Sequence, residues 1–197
     1  NTGTTQRTLS LNGSMAWLQA GTPTIAIQSP YLTVALLGEI PNIADITGFN
    51  VTGPGALTFN AKGYTGNFNA TALGNPYAVS LLHDGDGSPA PETIVLPGSV
   101  VFDEGIIPAL TVGRAGGTLP FPAAANKQIS VASVSNIGRG LVLTNSNGYG
   151  LRYSGDISVA AGATYHVLTA SRSNVTQGLE FSGNLTAPSG FTKSGPG

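Results

Sequence analysis

The 197-residue chain contains no cysteine, so no disulfide framework holds it together. Charge is scarce: Asp, Glu, Lys and Arg make up 9% of residues and the net charge is −1. That excludes a basic field for nucleic acid or an anionic membrane surface. No apolar run reaches the roughly 18 residues that span a bilayer. The longest, "YLTVALLG" at residues 31–38, has the length of a strand. Helical spacing of apolar residues is nearly missing. Catalytic signatures are missing too: there is no G-x-S-x-G elbow, no H-E-x-x-H helix and no phosphate-binding G-x-x-x-x-G-K-[ST] loop. The expectation is therefore a protein that is not an enzyme.

What is present is apolar, hydroxylated and rich in breakers. Hydrophobic residues account for 41% and mean hydropathy is +0.15, enough for a sizeable core. Surfaces wetted by Thr, Ser and Asn depend little on ionised carboxylates and should tolerate acid. Near-zero net charge favours self-association unless a coat such as glycans prevents it. The opening Asn1, with no basic or apolar leader behind it, reads as the start of a mature secreted chain.

Glycine (28) and proline (13) cut the apolar pattern into short β-branched segments such as "YLTVALL", "ALTFNAKG", "QISVASVS" and "TYHVLTA". Their spacing of about 8–15 residues suits a sandwich or barrel of antiparallel strands, and the expected fold is all-β, a single antiparallel β-sandwich of Ig-like or jelly-roll type. No sequence repeat of 20–50 residues stands out.

Several positions carry potential chemistry. In "HDGDGSPAPE", Asp84, Asp86 and Glu92 fall at positions one, three and nine of a calcium-type loop. Pro89 replaces the position-six glycine and Val95 the bidentate glutamate, so a plain turn explains the same residues. Calcium is the one cofactor the chain suggests. His83 and His166 are the two histidines, and His166 reads as a strand residue. Tyr149, Tyr153 and Tyr165 could stack on sugar rings or pack across strands. Five N-x-[ST] sequons, at Asn12, Asn50, Asn69, Asn174 and Asn184, are candidate N-glycosylation sites.

The segment "TLSLNGSMAW" places Leu9, Leu11, Gly13, Met15 and Trp17 on one face of an extended strand, opposite polar residues. This segment resembles the donor strands of extracellular pilins that assemble by donor-strand complementation, most nearly the cysteine-free archaeal surface threads. The chain lacks the disulfide of many chaperone–usher pilins, the L-P-x-T-G signal of Gram-positive pilins and the apolar leading helix of type IV pilins. The resemblance implies a donor extension at residues 1–18 and a sandwich at 19–197. Leu9, Leu11, Met15 and Trp17 would fill a neighbour's groove, with Gly13 as the small residue. The implied protein is an extracellular cell-surface filament subunit, a homopolymer with N-linked glycans, serving adhesion or biofilm. Two alternatives share the composition: a secreted carbohydrate-binding sandwich and a jelly-roll viral coat protein.

Overall fold

Alternation of inward and outward side chains is the signal that organises the chain, and it recurs from strand to strand in register. The structure, a computed structural model, describes residues 4–15, 21–40, 48–64, 66–71, 78–88, 90–96, 98, 100–102, 109–115, 127–132, 134–135, 140–145, 149–159, 164–169 and 178–194. Every regular element among them is a strand. In chain order the first seven are β1 (Arg7–Leu11), β2 (Thr24–Ala26), β3 (Leu32–Leu36), β4 (Gly48–Thr52), β5 (Ala56–Asn60), β6 (Asn67–Thr71) and β7 (Ala78–Leu82). Next come β8 (Glu92–Leu96), β9 (Val100–Phe102), β10 (Ala109–Gly113), β11 (Lys127–Val131), β12 (Val134–Ser135) and β13 (Gly140–Asn145). The last six are β14 (Tyr149–Tyr153), β15 (Ile157–Ser158), β16 (Thr164–Thr169), β17 (Leu179–Phe181), β18 (Leu185–Thr186) and β19 (Thr192–Ser194).

The antiparallel sandwich is not what forms. Every pairing among these strands is parallel. The chain winds as a β-solenoid. One sheet has eight strands in the order β1-β3-β5-β7-β10-β13-β16-β19. A second runs β12-β9-β6-β4-β2, and the short pair β15-β18 lies beyond β12. A third runs β17-β14-β11-β8. The early windings alternate between the first two sheets. From β8 onward the chain also passes through the third sheet, which gives about four three-sided turns.

Corners of a solenoid need the same Gly, Pro, Asn and Asp as hairpin turns, so punctuation alone does not separate the two folds. The repeat is also uneven. Register partners lie as few as 19 residues apart (Phe49 and Phe68) and as many as 35 (Ile94 and Ile129). The inward rows keep apolar character while size and identity change, as in Leu36, Phe59, Leu81 and Val112, which hides the period from the sequence.

The core is the solenoid's interior. Leu9, Val34, Leu57, Val79 and Leu110 form one register row, and Leu11, Leu36, Phe59, Leu81 and Val112 the next. From the third sheet come Ile94, Ile129 and Leu151, and beside them Leu96, Val131 and Tyr153, all buried. Fully burying each large aliphatic side chain contributes about 1.5–3 kcal/mol.

At one edge, β1 is held by its own chain. It pairs with β3 from Arg7↔Leu32 to Leu11↔Leu36. Leu37 N–H donates to Leu11 O at 2.9 Å and Met15 N–H to Glu39 O at 3.1 Å. The strand that the pilin resemblance assigns to a neighbour's groove therefore continues its own eight-stranded sheet. No helix among the described residues is long and apolar enough to cross a membrane.

Candidate functional site

The loop that opens the third side of the solenoid, residues 83–91 between β7 and β8, is the segment read as a calcium loop. The following strands bring a cation to it. Along β11, Lys127, Ile129 and Val131 share the inward parity, and each is 1% exposed or less. In register Lys127 lies between Glu92 of β8 and Tyr149 of β14. Its Nζ donates to Glu92 Oε2 at 2.6 Å and to Asp86 Oδ1 at 2.9 Å. The two carboxylates converge on this ammonium.

Local geometry shapes the loop to this partner. Gly85 has φ +65°, and a Cβ there would collide with the Glu92 carboxylate and lie 2.9 Å from Lys127 Nζ. Asp86 N–H donates to Glu92 Oε2 at 3.0 Å, and Gly85 N–H to His83 Nδ1 at 2.7 Å. Ser88 donates to Asp86 through both its N–H and its hydroxyl, each at 2.9 Å. Asp84 faces the next corner. Its Oδ1 accepts from Ala115 N–H at 3.2 Å and lies 3.9 Å from Arg114 Nε.

Charge follows from these contacts. Lys127 and Ser88 hold the Asp86 carboxyl far below the usual carboxylate range. Burial pulls Lys127 downward, yet its bonds to Glu92 and Asp86 outweigh that, and its pKa is raised. Burial lowers His83. Burial, followed by nearby Asp84, pushes the Tyr149 phenol up beyond its ordinary range. Among the described residues no group of three or more His, Cys, Asp or Glu could hold a metal ion. The arrangement can lock a corner of the solenoid.

No family model, curated protein or solved structure matches the chain.

The remaining sequence candidates separate by location. Tyr149 and Tyr153 are 1% and 0% exposed, so neither offers a face to a sugar. Tyr153 instead stacks on Phe181, ring centroids 5.7 Å apart. Tyr165 and His166 lie on β16 and Asn69 on β6, where only the backbone is described. Trp17 and Asn174 fall outside the described residues. Asn12 and Asn184 are exposed, and Asn50 is half-buried within β4.

Of the proposed donor residues, Leu9 and Leu11 are 51% and 41% exposed. Gly13 sits in open space and Met15 packs against the core. Lys127 was missed by motif reading. Its signal was parity, a lysine two and four residues before the inward Ile129 and Val131 of "KQISV".

Proposed function

We propose that this chain is a structural subunit of an extracellular cell-surface filament, lengthening head-to-tail along the solenoid axis and serving adhesion or biofilm. One observation carries this reading. Leu9 and Leu11 share the inward rows of Val34 and Leu36, which are 8% and 2% exposed, yet themselves stand about half open. β1 is the outermost strand of its sheet, and its outer edge has no partner among the described strands. An unpaired strand edge beside an apolar row favours addition of another strand.

In a solenoid that addition is stacking. A further copy, presenting its own parallel rung, would cover Leu9 and Leu11 as β3 is covered by β5. β19 is the other outer strand of the same sheet, and nearby Phe191 is 38% exposed. Unlike faces that meet head-to-tail generate an open assembly. This differs from groove insertion, because β1 stays in its own sheet and only its free edge is shared.

The test is electron microscopy of the purified chain beside its L9E/L11E variant. Filaments from the parent, and single particles with an unchanged β spectrum from the variant, support the reading. Single particles from both at high concentration overturn it.

A further inference from the structure

We propose that Asn12 and Asn184 carry N-linked oligosaccharides and that Asn50 does not. The inference rests on the extracellular reading, because the glycosyl donor, a polyprenyl-diphosphate oligosaccharide, is met on an export route. In the transfer, a bond forms between sugar C1 and the asparagine Nδ2. The bond from C1 to the diphosphate breaks, the diphosphate leaves, and the amide proton passes to solvent.

The fold sorts the sequons by the space around them. Asn12 follows the last residue of β1 and is exposed, as are Gly13 and Ser14. A Cβ built at Gly13 meets nothing within 4 Å, so the side of the chain on which a Gly13 side chain would stand is open. Asn12 continues the outward parity of Thr8 and Ser10, so a glycan there would point away from the row of Leu9 and Leu11.

Asn184 lies in the short connection between β17 and β18 and is exposed. Its own N–H donates to Asp156 Oδ1 at 2.9 Å, which fixes the backbone. Leu185 packs against the core while Thr186, the hydroxyl residue of the sequon, is exposed.

Asn50 has the same tripeptide grammar and a different setting. It lies within β4, half-buried, beside the fully buried Val51. Its N–H donates to Pro23 O at 2.8 Å. Register neighbours Thr24 and Asn69 flank it on both sides, at about 4.8 Å in a sheet. Half-buried between those rungs, its side chain is less open to a transferase than the exposed Asn12 and Asn184.

The full chain, exported through a glycosylating secretory route, is digested and mass-mapped before and after enzymatic release of N-glycans, which leaves Asp at each formerly occupied Asn. The expected result is Asp at 12 and 184 and unchanged Asn at 50. S14A and T186A should each remove one glycan while leaving the fold's spectrum unchanged. Sugar on Asn50, or an exported chain bare at both Asn12 and Asn184, overturns the proposal. Fractionation of the native cells separates the two failures: a chain retained inside them overturns the extracellular reading itself.

Discussion

Lys127 and Glu92 are register neighbours on adjacent parallel strands, and their side chains meet inside the solenoid at 2.6 Å. The lysine is 1% exposed while its glutamate keeps 30% of its side-chain surface in solvent. Removing either partner therefore has unequal consequences. Glu92→Gln leaves a buried ammonium with only Asp86 as its anion and should cost about 2–3 kcal/mol, discounted for that exposure. Lys127→Met leaves two carboxylates that water can reach and should cost less. Urea denaturation of both variants checks the order.

Acid should weaken the same corner. The folded-state pKa of Asp86 lies below its unfolded value of 3.8. A depressed carboxylate adds stability that is fully present above the unfolded pKa and is lost as pH falls toward the folded one. The contribution should thus persist in mild acid and fade only below about pH 4. Asp86→Asn should flatten the acid limb of melting temperature against pH without altering the neutral limb's slope.

The attachment of β1 should depend on one glycine and not its neighbour. A Cβ at Gly38 would collide with the carbonyl of Gly13, whereas one at Gly13 meets open space. Gly38→Ala should raise hydrogen exchange at Leu37 and Met15, whose amides bond across this contact. Gly13→Ala should leave the exchange pattern unchanged.

The third sheet should be sensitive to lost volume at its centre. Ile129 is 0% exposed and stands between Ile94 and Leu151 in register. Ile129→Ala should cost about 2–5 kcal/mol. Val95→Ala on the adjacent outward face, 67% exposed, should fall within about 0.5 kcal/mol of the parent.

Strand content was legible in the sequence because alternation is local. "YLTVALL" and "QISVASVS" declare their parity within a few residues; β3 falls inside the first, and β11 starts one residue before the second. Strand direction was not legible, because it depends on where Val79 finds Leu110, 31 residues away. An antiparallel hairpin and a solenoid corner ask for the same breakers. For the acidic loop the sequence offered a calcium-type loop or a plain turn. Lys127, which the loop's carboxylates hold, was not legible there, because it lies 35 residues beyond Glu92 and approaches only through the winding. Leu9 and Leu11 read as a one-sided row in the sequence, and their register partners Val34 and Leu36 belong to the chain's own sheet.

Because each winding rests only on the ones before and after it, tension applied to the two ends would unspool the molecule coil by coil. Register partners stand 19 to 35 residues apart along the chain, which sets the size of each released coil. That is roughly 65–120 Å of slack when drawn straight. Such a tether would yield in measured steps under shear and rewind when the load falls.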